Sequence, residues 1–269
     1  MSDTFDHLNL IQEAIRQPPF GLITDVDGTI SKIAPTPQKA KVSPLCRRYL
    51  SSLCKRLALV AAISGRPAIE IRDMVGIDGM VYIGNHGLER WIKDHIELPN
   101  SADEYSRVIK SAVEELTPLL SIEGVSIENK GVTATIHYRL CPDPQLAERE
   151  ILNAVGALTQ ARNLRVIMGK MAINLLPPIE VNKGTATLDL IRDYNLRGGI
   201  YLGDDPTDID AFRAIHTACR NLNFRGFAIG ILSPEMPEGL AEEADFTLNG
   251  VSDVERFLRW VLENALQSN

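Results

Sequence analysis

The stretch that decides the fold is Phe20-Gly21-Leu22-Ile23-Thr24-Asp25-Val26-Asp27-Gly28-Thr29. A short apolar run closes on two carboxylates one residue apart and then on a glycine. So short a run, bounded by turn residues, reads as a buried strand rather than a helix. Asp25 and Asp27 then lie just past the strand's carboxyl end, where open α/β sheets place their ligands. Gly28 permits a left-handed backbone or a close approach by another segment. Of two carboxylates on one turn, one can attack a phosphorus while its neighbour handles the proton on the leaving oxygen. The competing readings are local. Asp-Gly dipeptides often make plain turns, and a calcium loop wants its glycine at the sixth position, where this one comes at the fourth.

The same alternation recurs outward from this strand. Helical spacing over 44–56 leads to the apolar run Leu57 to Ile63, which ends at Ser64-Gly65-Arg66-Pro67. A helix to about Val75 leads to a strand at Met80 to Ile83, which ends at Gly84-Asn85-His86-Gly87. Nearer the other end, a helix at Gly184 to Tyr194 precedes a strand at Gly199 to Leu202 and the acidic loop Gly203-Asp204-Asp205. A helix from about Thr207, strands at Phe224 to Ile231 and Phe246 to Leu248, and a helix at Val251 to Leu266 follow. Apolar runs alternating with helices predict an α/β fold with a doubly wound parallel sheet, Rossmann-like, covered on both faces.

The middle of the chain follows another rule. A helix over 102–120 precedes two strand-like stretches, 121–129 and 132–140, joined by a Lys130-Gly131 turn. A second helix, about Asp143 to Arg162, precedes the strand-like 164–168 and 171–176 around Gly169-Lys170. Helix-strand-strand twice over, with hairpin turns, predicts antiparallel pairs. The expectation is an inserted α/β cap domain over 99–177, set into a core formed by 1–98 and 178–269.

Composition narrows the function classes. The 269 residues carry 35 acidic and 28 basic side chains, a formal net charge of −7, which argues against a surface built to neutralise nucleic acid. The four cysteines, Cys46, Cys54, Cys141 and Cys219, are scattered without C-x-x-C spacing, so neither a disulfide framework nor structural zinc is expected. The first seventeen residues are acidic and amphipathic, unlike a signal peptide. Leu57 to Ile63, the longest apolar run, is far short of a membrane span. The expected molecule is cytoplasmic, with neither membrane nor nucleic acid as partner.

Three further constellations carry chemistry. In Gly203-Asp204-Asp205-Pro206-Thr207-Asp208-Ile209-Asp210, four carboxylates fall within seven residues. Their mutual repulsion suggests a cation, and a hard dication such as Mg²⁺ is suited by carboxylates, waters and phosphate oxygens. Helix capping can account in part for Asp208 or Asp210. Ser64-Gly65-Arg66 offers a hydroxyl and free backbone N–H groups at a helix start, a natural phosphate cradle, although an ordinary N-cap has the same appearance. Lys183 opens the helix that leads to the acidic loop; it can neutralise nucleophile and phosphate together, or be a solvated surface lysine.

In order, D-x-D-G-T, S-G-R, K-G and G-D-D-x-x-D each fall where an α/β sheet puts its ligands. This set resembles the haloacid dehalogenase superfamily of phosphotransferases. The resemblance implies Asp25 as nucleophile and Asp27 as general acid/base. Ser64 and Lys183 would hold the transferring phosphoryl group, with Gly65 and Arg66 beside them. Mg²⁺ would sit on Asp25, the backbone carbonyl of Asp27 and Asp204, supported by Asp208.

More narrowly, the chain resembles the trehalose-6-phosphate phosphatase family. The residues that carry this are Gly84-Asn85-His86-Gly87-Leu88-Glu89, Glu128-Asn129-Lys130-Gly131, His137-Tyr138-Arg139 and Gly169-Lys170. Pro177-x-x-x-Val181-Asn182-Lys183-Gly184-x-Ala186 and G-D-D-x-T-D-x-D-A-F belong with them. The implied ligand is a small sugar phosphate, bound through Asn85, His86, Glu128, Lys130, His137, Arg139, Lys170 and Asn174. The implied pathway partner is a glycosyltransferase (synthase). A site that hydrogen-bonds hydroxyls would use such fixed donors and acceptors, whereas Glu128 and Arg139 pairing across a hairpin is the structural alternative. One position departs from the pattern: Asn174 stands where the family carries a glutamate, keeping an acceptor and losing the charge. Sucrose phosphate, a glycosylglycerate phosphate or a hexose phosphate are therefore alternative esters. A phosphomutase and a catalytically inactive sugar-binding module are the other classes.

Overall fold

The computed structural model describes residues 2–92, 94–159 and 163–265, and the chain divides into two compact units. Met1–Glu97 and Val181–Asn269 form one; Leu98–Glu180 forms the other. The first begins α1 (Leu8–Ile15), β1 (Phe20–Thr24), α2 (Pro44–Leu53), β2 (Leu59–Ile63), α3 (Ala68–Val75), β3 (Val81–Gly84), β4 (Glu89–Ile92), β5 (His95–Glu97). The inserted unit holds α4 (Ala102–Leu116), β6 (Ser126–Asn129), β7 (Ala134–His137), α5 (Pro144–Gly156), β8 (Arg165–Gly169) and β9 (Ala172–Leu176). The chain then returns with α6 (Lys183–Asp193), β10 (Gly198–Gly203), α7 (Asp208–Asn221), β11 (Arg225–Leu232), α8 (Leu240–Glu243), β12 (Phe246–Asn249) and α9 (Gly250–Asn264). Arg162 and Leu266, expected as helix ends, lie outside the described residues.

In the first unit the sheet order is β12-β11-β10-β1-β2-β3-β4-β5, parallel from β12 to β3. Every residue of β1, β2 and β10 is buried, as a sheet covered on both faces requires. Side-chain alternation splits β1 between two cores. Leu22 packs with Ile11, Leu50 and Phe257 from α1, α2 and α9 on one face. Ile23 packs with Leu190, Phe212 and Ile215 from α6 and α7 on the other. The connection from β12 to β3 thus brings the ends of β1, β2, β3 and β10 side by side.

The parallel sheet foreseen from the apolar runs is extended by a hairpin that those runs do not show. β4 pairs antiparallel with β3, and β5 with β4. β4 reads Glu89-Arg90-Trp91-Ile92 and β5 His95-Ile96-Glu97, so charged residues interrupt both and no continuous apolar run marks the hairpin. Trp91 is covered by the Arg72 guanidinium, 4.8 Å from the ring centroid, and Arg90 is tied to Asp193 at 2.7 Å.

In the inserted unit the order β6-β7-β9-β8 is antiparallel throughout. Ala134, Ile136, Ile173 and Leu175 face α4 and α5, packing with Ile109, Leu116, Ile151 and Val155. Alternation assigns Thr135, His137 and Asn174, with Glu128 opposite Thr135, to the other face. α4 stops at Leu116 rather than 120: Thr117 still has helical angles and bonds the Val113 carbonyl, but Pro118 has no N–H to carry the ladder on. All four cysteines are free thiols, and no helix among the described residues is long and apolar enough to cross a membrane.

Candidate active site

β1 delivers Asp25 to the centre of the sheet's carboxyl edge, where its N–H donates to the Leu202 carbonyl of β10 at 2.8 Å. The Asp25 side chain is 4% exposed, and Lys183 Nζ donates to its Oδ1 at 2.7 Å. Oδ2 is buried with no hydrogen-bond partner among the described residues. Burial pushes this carboxyl well above the usual carboxylate range; Lys183 opposes the rise, and Asp208 and Asp204 add to it.

Lys183 is the first residue of α6, whose start is fixed by a reciprocal cap. Asn182 accepts from the Thr185 N–H while Thr185 Oγ1 accepts from the Asn182 N–H. The ammonium is 2% exposed and also donates to Asp208 Oδ1 at 2.8 Å. Burial alone would discourage its charge, yet Asp208 and Asp25 raise its pKa above the ordinary lysine value. Lys183 is therefore a buried ammonium whose charge its two carboxylate partners favour. It is not the solvated surface lysine that its sequence context also allows.

Asp208 organises the acidic loop. Oδ1 accepts from Lys183 and, at 2.7 Å, from the Tyr201 hydroxyl; Oδ2 accepts from the N–H groups of Asp204 (2.9 Å) and Asp205 (2.8 Å). These bonds fill the lone-pair sites of a carboxylate. Burial, with Asp208 and Asp25 beside it, pushes the Tyr201 phenol up, so it stays a donor. Asp205 is spent locally, accepting from the Thr207 N–H and hydroxyl. Oxygens of Asp25, Asp204 and Asp208 lie within 4.8 Å of one another, all buried. Gly28 is what lets the Asp204 carboxylate approach: its φ is +92°, and a Cβ there would lie 1.8 Å from Asp204 Oδ2.

The remaining ends complete the edge. Ser64 follows β2; its N–H donates to the Ile83 carbonyl, and its Oγ accepts from the Arg66 N–H at 3.3 Å. His86 stacks on the backbone at Gly65, where a Cβ would meet its ring at 2.7 Å. Asn85 and His86 both take left-handed backbone angles. The Arg66 guanidinium grips Asp27. Nε donates to Oδ2 at 2.6 Å and Nη2 to Oδ1 at 2.9 Å.

Two residues of this edge have parts that the sequence did not assign. The Glu89 carboxylate is buried and accepts from the Ala68 N–H and from Asn85 Nδ2, both at 2.7 Å, so it orients Asn85. In sequence it closes the Gly84–Glu89 motif, four residues after Asn85, with no role marked for it. Tyr201 sits mid-strand in an otherwise apolar run, where a buried hydroxyl demands a partner.

In the inserted unit, Glu128 Oε2 lies 2.8 Å from His137 Nε2 and 3.7 Å from Lys130 Nζ. Thr135 donates to Asn174 Oδ1 at 2.7 Å, and Asn174 Nδ2 donates to the Ile167 carbonyl. Arg139 donates to the Lys170 carbonyl at 3.2 Å. The six polar residues expected here thus fall on one antiparallel sheet and its turns. Glu128 has a cross-strand partner in His137.

A doubly wound sheet with an Asp-x-Asp turn on a central strand, faced by a serine turn, a buried lysine and an acidic loop, defines a haloacid dehalogenase-like protein. Comparison with known proteins narrows this. The sequence profile of the trehalose-phosphatase family matches residues 23–236, and the chain belongs to that family. The trehalose-phosphate phosphatase of Mycobacterium tuberculosis is 32% identical over 223 residues, 80% of this chain and 56% of that protein. The chain thus spans little more than half the length of the mycobacterial relatives. A probable trehalose-phosphate phosphatase D of Arabidopsis thaliana is 27% identical over 274 residues, 94% of this chain and 70% of the relative. Among solved structures, the C-terminal domain of the C. albicans trehalose-6-phosphate phosphatase superimposes with a TM-score of 0.77, at 20% identity and 98% coverage of both chains. A trehalose-6-phosphate phosphatase related protein gives 0.72 at 24% identity, covering 93% of this chain and all of that one. At those identities the structural likeness is one of fold.

Proposed function

We propose that the chain is a Mg²⁺-dependent phosphatase that hydrolyses a sugar phosphate, trehalose 6-phosphate foremost, through an aspartyl-phosphate on Asp25. The observation that carries this is the Asp25 carboxylate, buried, held at Oδ1 by Lys183 and with Oδ2 lacking any partner among the described residues. An acceptor buried so deeply without a donor is costly unless something binds there.

The residues fit a hard dication. One buried ammonium stands against three buried carboxylates, leaving excess negative charge in a site closed to water. Asp25, Asp204 and the Asp27 carbonyl would hold Mg²⁺; Asp208, its oxygens already filled, would support them from behind. When bound, the ion neutralises charge on the phosphoryl oxygens and the nucleophile.

Asp25 attacks phosphorus, forming a P–O bond as the ester P–O bond to the sugar breaks. The leaving alkoxide takes its proton from Asp27. Water then attacks phosphorus, giving its proton to Asp27, and the bond between Asp25 and phosphorus breaks. Ser64, the backbone at Gly65 and Lys183 supply donors to the phosphoryl oxygens, so that most of the catalytic effect is positioning and electrostatics. Asn85 and His86 stand ready for the substrate at the same edge.

We assign choice of ester to the inserted unit, through Glu128, Lys130, His137, Arg139 and Lys170. Asn174 spends its carbonyl on Thr135, so the charge lost at that position is not replaced by a free acceptor. The activity is read as cytoplasmic, in a pathway with a glycosyltransferase. An inactive module is disfavoured because Asp25, Asp27, Lys183 and Asp204 are all retained.

The test is inorganic phosphate release from a panel of sugar phosphates, with Mg²⁺ and with EDTA. Metal-dependent release is expected, highest for trehalose 6-phosphate. Release highest from another ester keeps the mechanism and reassigns specificity to the insert. Transfer to a second sugar without free phosphate would mean a mutase. A companion prediction concerns Glu128→Ala. It should lower kcat/KM for the sugar ester by about 10- to 100-fold while sparing a small aryl phosphate, since only the sugar offers hydroxyls to recognise. Equal losses on both substrates would make Glu128 structural.

A further inference from the structure

The grip of Arg66 on Asp27 has no counterpart in the chemistry described so far. Asp27 is the exposed member of the acidic set, its side chain 30% accessible where that of Asp25 is 4%. A carboxylate at such a mouth would ordinarily sample several rotamers. Here both of its oxygens are bonded by one guanidinium, through Nε at 2.6 Å and Nη2 at 2.9 Å. Two-point contact of this kind fixes orientation as well as charge. Arg66 is itself only 13% exposed, and it is anchored independently of Asp27. Its Nη2 also donates to the Pro37 carbonyl at 3.0 Å, its N–H donates to Ser64 Oγ, and its Nη1 lies 3.9 Å from Glu70.

We infer that Arg66 is a positioning residue for proton transfer by Asp27, and that this, rather than binding the phosphoryl group, is its main part in turnover. Held on Arg66, Asp27 is oriented as the acceptor that takes a proton from water in the second half-reaction. When Asp27 lets go of Nη2, Oδ1 is left to carry a proton to the leaving alkoxide. Arg66 keeps its place through Pro37 during that exchange. The inference rests on the phosphatase reading above.

Leaving-group dependence tests it. A sugar alkoxide is a poor leaving group and needs its proton; 2,4-dinitrophenolate does not. Because kcat/KM reports only steps through the first irreversible one, it isolates the cleavage that Asp27 assists from the later attack of water. The wild type, Arg66→Ala, Asp27→Asn and the double variant are compared on the panel's best sugar phosphate and on 2,4-dinitrophenyl phosphate. Arg66→Ala is expected to lose about 100-fold in kcat/KM on the sugar ester, within the range for general acid catalysis, and to fall far less on the dinitrophenyl ester. The double variant should be no worse than Asp27→Asn alone, since both changes remove one function. Similar losses on the two esters, or additive losses in the double variant, would make Arg66 a phosphate-binding group and overturn the inference. Should Arg66→Ala fail to fold, Arg66→Lys, which keeps the charge and loses the two-point grip, reads the same split. A wild type that turned over neither ester would instead sink the phosphatase reading, and this inference with it.

Discussion

Asp25→Asn is expected to abolish turnover of every phosphate ester while leaving the fold in place. The amide is nearly isosteric but has no anionic oxygen to attack phosphorus, so the loss should be on the order of 10⁴-fold or more in kcat. Stability should change little, because two effects oppose each other. The variant gives up the ion pair with Lys183, at 2.7 Å, and relieves the crowding that Asp204 and Asp208 impose on a buried carboxylate. A melting temperature within about 4 °C of the parent, with no phosphate release and no covalent phosphoryl-protein in a quenched reaction, is the predicted pattern. Substantial turnover in this variant would remove Asp25 as nucleophile, whatever the family resemblance implies.

Lys183→Met should damage both function and fold, and so separates its role from that of Asp25. The side chain is fully enclosed, and its ammonium is the bridge between Asp25 and Asp208. Methionine fills a similar volume but leaves two buried carboxylates facing each other without a cation. Removing one partner from a buried charge pair costs about 3–5 kcal/mol, because the remaining charge is uncompensated. At this chain length that corresponds to a fall of roughly 10 °C in melting temperature. The clasp of Asp208 on the N–H groups of Asp204 and Asp205 should loosen with it, so activity should fall by at least about 10³-fold. Circular dichroism melts and phosphate release together check this. A variant that melts like the parent would show that Lys183 is not the keystone of the acidic cluster.

Local pattern was enough for the parts of this protein that repeat a simple rule. β1, β2 and β10 are short, largely apolar runs, as fully buried parallel strands tend to be. The residues directly after them were legible for the same reason, since the carboxyl ends of such strands line up along one edge. The β4–β5 hairpin had no such mark: its mixture of charged and apolar side chains is shared with surface loops, and only pairing against β3 makes β4 a strand. The roles of Glu89, though it stands in a quoted motif, and of Tyr201 were silent too. Each earns its place through a partner reached only when the chain is folded.

Arg66 shows the boundary most clearly. Ser64-Gly65-Arg66 at a helix start allows a phosphate cradle, and nothing local says where a long flexible guanidinium will settle. Asp27, 39 positions away in sequence, decides that. Lys183 is similar, for a lone lysine at a helix start is usually solvated. Only the closing of α6 over β1 and β10 encloses it among carboxylates and raises its pKa. What the sequence by itself determined was the fold class, the ordered edge of motifs and the chemical types available there, because these follow from short-range periodicity and turn chemistry. Tertiary structure alone decided which carboxylate is buried and which exposed, which oxygen is left without a donor, and which cation is spent on which anion. Burial and pairing are properties of distance in space, and residues 25, 66, 183 and 208 become neighbours only when the sheet is assembled.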